Sequence, residues 1–383
     1  MPWKETEPMK ERIQFILEVD AGFFRFSESC QRYGVSRKTG YKWLKRWEEE
    51  GVEGLKDRPR KPHHCPHQTA GWIEDRVVKL GEEREDWGPV TLRDRLRRKE
   101  PAIRWPAAST IGEILRRRQV RQRRKRRRRG QPVFARGSVT SQAPNEVFTA
   151  DFKGQFRTRN GCYCYPLTVQ DHCARYSLCC QALESTSQAP VQTQFERVFV
   201  EYGLPEVLLT DNGVPFAGPG LRRLSRLSVW WIRLGILPWL TQPGHPEQNG
   251  RHERFHRTLK QATALPPQAN LEAQQEAFDR FRQEYNQDRP HQSLGGKTPA
   301  EVYRPSSRPY PKQLPALEYP GHWEVRRVSS CGRVKLRGQG FFLSHALRHQ
   351  PVGFEEVDDG LWSIYLGSVL LGHWEERENR VHG

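Results

Sequence analysis

From Arg116 to Arg129 nearly every residue is arginine or lysine (RRRQVRQRRKRRRR). Like charges at that density do not pack against one another, so this run cannot sit inside a core and is extended or disordered when free. It therefore splits the chain into two folded regions that must each close their own interior. At 383 residues there is enough chain for that, and two to four domains are expected. The formal charge of +18 points to a polyanionic partner. Against DNA, each phosphate neutralised by Arg123, Arg124, Lys125, Arg126, Arg127, Arg128 or Arg129 releases counterions and makes binding salt-dependent. A targeting tag is the alternative that the run leaves open. Its place between two folded regions favours a DNA-tracking linker over 120–143.

No segment approaches the ~18 consecutive apolar residues of a membrane-spanning helix. The opening MPWKETEPMKER has no apolar stretch of the secretory type. A cytoplasmic, nucleoid-associated protein with reduced cysteines is expected, with double-stranded DNA and no membrane as partner. The eight cysteines show no zinc-ribbon spacing. Cys162 and Cys164 alternate with Tyr163 and Tyr165, Cys179 and Cys180 lie in another apolar run, and all four read as small core hydrophobes. His63, His64, Cys65 and His67 lack a second paired group at finger spacing and read as linker.

Residues 1–56 read as a helix-turn-helix domain. A helix from Phe26 meets a tight turn at Gly34, and Ser36 caps a second helix. That second helix exposes Arg37, Lys38, Tyr41, Lys42 and Lys45 and turns Trp43, Leu44 and Trp47 inward. This is the layout of a DNA-recognition helix; an ordinary αα-hairpin is the alternative. Residues 57–68 are a Pro-rich linker. Residues 69–119 carry three helical segments, Ile73–Arg84, Thr91–Lys99 and Ser109–Gln119. They read as a second small helical DNA-binding module, or as a spacer whose basic residues form a solvated face.

Over 144–304 the texture changes. Val147–Asp151 reads as a strand ending in an acid, and Cys162–Asp171 and Tyr176–Ala182 complete a meander. Gln188–Tyr202 has helical spacing, and Pro205–Asp211 is a short buried strand before an Asn-Gly turn. This order indicates a mixed sheet covered by helices. A helix then starts near Gly250, with Glu253 in its first turn, where the helix N-terminus favours a carboxylate. His256, Arg257 and Lys260 follow at i+3, i+4 and i+7 and share its face, a layout that suits a metal ion beside a phosphate; a solvated helix with a capping acid is the alternative. Asp151, Asp211 and Glu253, from two strand ends and one helix, can converge on one site. Carboxylate oxygens suit Mg²⁺, and two ions about 4 Å apart serve phosphodiester displacement. Asp171, Glu184 and Glu206 read as turn or surface groups.

The words around these acids carry a family resemblance. TADFKG at 149–154, LTDNGVPF at 209–216 and PEQNGRHERFHRTLK at 246–260 resemble the three catalytic motifs of retroviral-integrase-like DDE transposases. YNQDRPHQSL at 285–294 and TPAEVY at 298–303 resemble the end of the same catalytic core. The leading helix-turn-helix fits transposases of bacterial insertion sequences. The resemblance implies an RNase H-like core, metal-dependent cleavage at the inverted repeats of a mobile element, and transfer of the freed 3′-hydroxyl into target DNA. It implies Asp151, Asp211 and Glu253 as catalytic residues and ligands of Mg²⁺ or Mn²⁺, two ions per site, with Lys260 on the element-end DNA. It also implies a homo-oligomer, dimer or tetramer, on DNA. The interval common among relatives would place the third acid at Glu247. Glu253 is preferred because it stands in the helix, where it is better held, and the loop Gly218–Arg226 accounts for the extra length. A non-catalytic regulator derived from such an element, or a nuclease without strand transfer, remains an alternative.

Residues 305–320 are Pro-rich and read as a linker. Residues 321–383 give short alternating runs joined by Gly and Asp, expected to form a small barrel-like β domain. Its basic first hairpin is expected to turn at Cys331-Gly332. Binding DNA, binding a second subunit, or simply adding stability are all open to it.

Overall fold

The computed structural model describes residues 8–58, 68–121, 139–242 and 250–382. The readings of Arg123–Arg129, of Glu247 and of the His63–His67 cluster fall outside these residues. The chain divides into two units, 1–68 and 69–383.

The first unit contains α1 (Pro8–Asp20), α2 (Phe26–Arg32) and α3 (Arg37–Glu50), closed by a 3₁₀ turn at Gly51–Leu55. Gly34 sits at φ +62°, a left-handed conformation that most residues resist, and turns the chain between α2 and α3. Ser36 then caps α3, its side chain accepting from the Thr39 amide at 3.2 Å. Phe15, Ile16, Cys30, Trp43 and Leu55 form the core. Arg12 lies 4.1 Å over the Trp43 ring and donates to the Leu55 carbonyl at 2.8 Å, closing the bundle. Arg37, Lys38, Tyr41, Lys42 and Lys45 are all exposed on α3.

The second unit opens with α4 (Gly71–Glu83), α5 (Pro89–Lys99) and α6 (Ala108–Arg117), wrapped around Val77, Trp87, Leu92, Trp105 and Ile111. A six-stranded sheet follows. β1 (Val147–Phe152), β3 (Tyr163–Asp171) and β4 (Ser177–Leu183) form an antiparallel meander, and short β2 (Phe156–Arg157) pairs with the start of β3. After α7 (Gln188–Tyr202), β5 (Val207–Thr210) joins β1 in parallel, and β6 (Leu237–Leu240) joins β5 in parallel after α8 (Arg226–Arg233). Parallel pairing needs a crossover, and α7 and α8 supply one each. Phe148, Leu167, Phe195, Phe199, Leu208 and Trp231 fill the space between the sheet and these helices. The other face is covered by α9 (Gly250–Thr263) and α10 (Leu271–Gln287), through Cys164, Cys180, Phe255, Leu259 and Phe278. Cys162, just outside β3, is exposed, so it is not the core hydrophobe the alternation indicated; Cys164, Cys179 and Cys180 are buried.

The α4–α6 bundle meets this core through charge. Arg84 pairs with Glu284 and Asp288, Arg95 with Asp288, Arg98 with Glu301, and Asp86 with Arg289. Part of its basic surface is therefore neutralised within the chain, which periodicity alone does not reveal.

Two segments that look like connectors are packed structure. In the loop Gly218–Arg226, Leu221 and Leu224 lie against the core of the C-terminal domain, together with Val229 and Ile232 of α8. Residues 305–320, expected as a linker, form a strap. Arg308 donates to the carbonyls of Pro205 (2.7 Å), Leu234 (3.2 Å) and Gly235 (2.8 Å), and Tyr319 Oη donates to the Pro351 carbonyl at 2.8 Å. Proline-rich chain has few amides of its own to pair, so side chains such as Arg308 secure it.

The C-terminal domain is small and β, but not a closed barrel. β7 (Glu324–Arg327), β10 (Pro351–Asp358), β11 (Leu361–Leu366), β12 (Val369–Glu375) and β13 (Arg380–His382) form an open antiparallel sheet, ordered β13-β12-β11-β10-β7. A separate hairpin of β8 (Arg333–Leu336) and β9 (Gln339–Phe342) packs onto it, with Phe341 stacked on Trp374 at 4.6 Å. Aromatic packing, rather than edge-to-edge hydrogen bonding, closes this core. The chain does turn at Cys331-Gly332, where the Gly332 amide donates to the Ser329 carbonyl at 3.0 Å, but the strands on either side form no hairpin, because β7 pairs with β10. The hairpin turn is Arg337-Gly338, both at positive φ, as a two-residue connection of this hand requires.

Candidate active site

β1 and β5 run in parallel with Val147 level with Val207 and Ala150 level with Thr210. Asp151 and Asp211 come next on each chain. Because the register is in phase, side chains at matching positions leave adjacent strands on one face, with backbones about 4.8 Å apart. On the other side of β1, Thr168 of β3 is the partner of Asp151. Asp211 is held by its own turn, accepting from the Gly213 amide at 3.1 Å. A Cβ at 213 would come within 3.0 Å of Asp211 Oδ2, so glycine there lets the turn close on the carboxylate. Asn212 is gripped in turn by Arg223 of the inserted loop, which donates to Asn212 Oδ1 at 3.0 Å and to its carbonyl at 3.3 Å.

Helix α9 lies across this face and is fixed to it by two imidazoles. Thr168 Oγ1 donates to the Asp151 carbonyl at 3.0 Å and lies 2.6 Å from His252 Nε2 and 2.7 Å from His256 Nε2. A hydroxyl has one proton and two lone pairs. All three contacts are satisfied when both histidines carry their proton on Nε2, a tautomer assigned from the network. Thr149 Oγ1 then donates to His252 Nδ1 at 2.9 Å. The remaining nitrogen, His256 Nδ1, faces Asp151 Oδ2 at 3.8 Å with its lone pair. Burial pushes the His252 pKa down to about 3. Burial, with His252 and Lys153 nearby, pushes that of His256 down to about 2. Burial therefore favours the neutral form of both rings.

Asp151 is driven the other way, its pKa raised to about 7. Burial is the main cause, and the Asp211 and Glu253 carboxylates add to it, against the Phe152 amide and Lys153. The three acids singled out in the sequence are thus brought together, from two strand ends and the first turn of α9.

The expectation for His256 is overturned. It is only 7% exposed and faces the sheet, so it is not offered to DNA. At 100° per residue, Arg257 and Lys260 fall within about 40° of Glu253, whereas His256 falls about 60° to the buried side. Glu253, Arg257 and Lys260 are exposed together. Asp171 is also internal. It accepts from the amides of Asn145 (2.7 Å) and Ala174 (2.5 Å) and organises the β3–β4 turn. Thr149, Thr168, Lys153 and Arg223 were not singled out in the sequence. Thr149 stands within the TADF word, but Thr168 becomes visible only once β1 and β3 are in register.

Comparison with known proteins identifies the domains. The integrase core domain family matches residues 141–246 and again 234–299. A helix-turn-helix domain family matches 11–63, and a homeodomain-like domain family matches 39–115. The chain is 29% identical over 243 residues to a 39.2 kDa protein of insertion element IS476 from Xanthomonas euvesicatoria, covering 62% of this chain and 67% of that protein. It is 26% identical over 242 residues to a 31.7 kDa protein of insertion element IS407 from Burkholderia multivorans, covering 63% and 82%. Over 102 residues it is 32% identical to transposase InsD of element IS2D from Escherichia coli, covering 26% and 32%. Among solved structures, the HTLV-2 integrase catalytic core in complex with magnesium aligns with a TM-score of 0.35 and 15% identity, over 43% of this chain and 100% of that one. With α3 presenting its basic face, a mixed-sheet core gathering three acids, and proteins of insertion elements among its sequence relatives, the chain carries helix-turn-helix and integrase core domains and is similar to transposases of bacterial insertion sequences.

Proposed function

We propose that this protein cleaves phosphodiester bonds at the ends of its own mobile element and joins the freed 3′-hydroxyls to target DNA, with Asp151, Asp211 and Glu253 as the catalytic carboxylates. The observation that carries this reading is the in-phase placement of Asp151 and Asp211 on adjacent parallel strands, with Glu253 close enough to act on Asp151. Carboxylates crowded in this way, with an imidazole lone pair directed at one of them, repel each other until a cation is supplied. The donors are hard oxygens, so the site fits Mg²⁺ or Mn²⁺, which Asp151, Asp211 and Glu253 would hold. Such ions supply activation of the attacking oxygen and stabilisation of the leaving one.

The chain's own residues do the rest. The Gly213 amide and the Arg223–Asn212 contacts hold the Asp211 turn in place. His252 and His256 act through position: they lock α9 onto Thr149 and Thr168 and so set where Glu253 stands. Their lowered pKa values favour the neutral form, which suits this positioning role. Lys260 and Arg257, exposed beside Glu253, take phosphates of the element end. Arg37, Lys38, Tyr41, Lys42 and Lys45 read the terminal inverted repeats in the major groove. Arg123–Arg129 follow the DNA backbone. Pairing two element ends calls for a homo-oligomer, and the setting is the DNA of a bacterial cytoplasm. Among the described residues no helix is long and apolar enough to cross a membrane.

The test incubates purified protein with labelled element-end DNA, a target plasmid and Mg²⁺ or Mn²⁺. Joined products are expected. Cut ends alone would assign a nuclease, and shifted but intact DNA a regulator.

A further inference from the structure

His256 is tied to the sheet through one nitrogen only. Its Nε2 meets Thr168 Oγ1 at 2.7 Å. Its Nδ1 faces Asp151 Oδ2 at 3.8 Å, which is too long for a hydrogen bond. A proton on Nδ1 would also leave Nε2 as an acceptor facing Thr168, whose single hydroxyl proton already goes to the Asp151 carbonyl. Nδ1 therefore keeps its lone pair, and two electron-rich atoms face each other inside the fold, on side chains only 8% and 18% exposed. Buried charge is ordinarily paired or bound to a metal.

The gap has the dimensions of a shared ion. With bonds of about 2.1 Å, two donors on one divalent ion lie between about 3.0 Å apart at a right angle and about 4.2 Å apart across it. The observed 3.8 Å falls within that range. His252 stands near enough to join the same group. Its Nε2, however, is on Thr168 at 2.6 Å and its Nδ1 on Thr149 at 2.9 Å, so both its nitrogens are taken. Spacing along α9 offers two histidines, and the hydrogen bonds single out one.

We propose that His256 Nδ1 is a direct ligand of the ion held by Asp151, giving that metal position a mixed oxygen–nitrogen donor set that favours Mn²⁺ over Mg²⁺. This rests on the reading of Asp151 as a metal ligand, and adds a donor that the three carboxylates do not supply. Mg²⁺ keeps to oxygen donors and water, whereas imidazole suits transition ions. Thr168 is the outer partner that orients a ligating ring. Because its hydroxyl also holds the Asp151 carbonyl, one side chain positions both donors.

The experiment uses the full-length chain with substoichiometric Mn²⁺ and no DNA, so the outcome of cleavage or joining assays does not bear on it. Bound Mn²⁺ is followed by loss of the free-ion electron paramagnetic resonance signal, and its ligands are read by electron spin-echo envelope modulation. The native chain is expected to show modulation from a directly bound nitrogen, and the pattern should change when the chain is grown with nitrogen-isotope-labelled histidine. His256→Gln keeps an N–H for Thr168 but has no nitrogen lone pair to offer. In it the modulation should vanish and Mn²⁺ affinity should fall about tenfold or more, the loss typical even of outer partners, with a smaller loss for Mg²⁺. If that variant does not fold, His256→Asn and the isotope comparison on the native chain decide. Bound Mn²⁺ without nitrogen modulation overturns the proposal and leaves the carboxylate site standing. Modulation that survives in the variant, or equal losses for the two ions, overturns it as well. Absence of Mn²⁺ binding overturns both this ligand and the reading of Asp151 on which it rests.

Discussion

Replacing Asp151 by Asn should stabilise the metal-free protein at alkaline pH while abolishing catalysis. In the folded chain the Asp151 pKa rises from 3.8 to about 7. Each pKa unit corresponds to 1.36 kcal/mol, so keeping this carboxylate ionised in the fold costs about 4 kcal/mol. The folded state binds more protons than the unfolded one between about pH 3.8 and pH 7. Stability therefore falls as pH rises through that window, and the whole cost is felt above it. Between pH 5 and pH 8 the native chain should lose about 2–3 kcal/mol from this group, whereas Asp151→Asn has no carboxylate to titrate and should lose none. At roughly 2 °C per kcal/mol, the melting temperature of the catalytic unit should drop about 5 °C in the native chain relative to the variant. The assay is thermal unfolding in EDTA at several pH values, repeated with excess Mg²⁺. The ion should restore stability to the native chain at pH 8 by binding only the folded state, with much less effect on the variant. If Asp151→Asn were less stable than the native chain at pH 8, or the two pH profiles were parallel, burial and the neighbouring carboxylates would not be raising the Asp151 pKa and the reasoning would fail.

Other predictions concern the parts that hold the site. Glu253→Gln should abolish DNA cleavage while Glu247→Gln leaves most of it; the reverse result in a cleavage assay would move the third acid to Glu247. Thr168→Val removes the hydroxyl that meets both imidazoles and the Asp151 carbonyl. Leaving those buried groups unpaired should cost about 2–4 kcal/mol by urea unfolding and lower cleavage with it, whereas Thr168→Ser should retain most of both. Arg308→Ala releases three carbonyls that pin the strap and should cost about 2 kcal/mol. Limited proteolysis should then cut within 305–320, and a protected strap would refute the role given to Arg308.

Much of the site was legible because its local chemistry is short-range. An Asp closing an apolar run, a Gly two residues after Asp211, and a Glu in the first turn of a helix each announce their backbone setting. The helix-turn-helix was legible for the same reason, since Gly34 and Ser36 specify their own turn and cap. His256 was misplaced because i+3 spacing does not by itself say which side of a helical face meets the sheet. That the C-terminal domain is an open sheet with a separate hairpin over one core was not legible, because alternation marks strands without saying which strands pair.

By itself, then, the sequence determined a recognition-type helix and three acids at the ends of regular elements; the basic run it set apart as extended is in fact packed at its start, where Arg116 and Arg117 close α6 and Arg121 donates to the Trp87 and Arg84 carbonyls. Only the tertiary structure decided that β1 and β5 run in phase, which sets Asp151 and Asp211 level. It alone brought Thr168 between two neutral histidines, and turned an apparent inserted loop into the seat of the C-terminal domain. The physical reason is common to all three. Register, helix rotation and domain docking are fixed by contacts between residues far apart in the chain, and no local propensity encodes them.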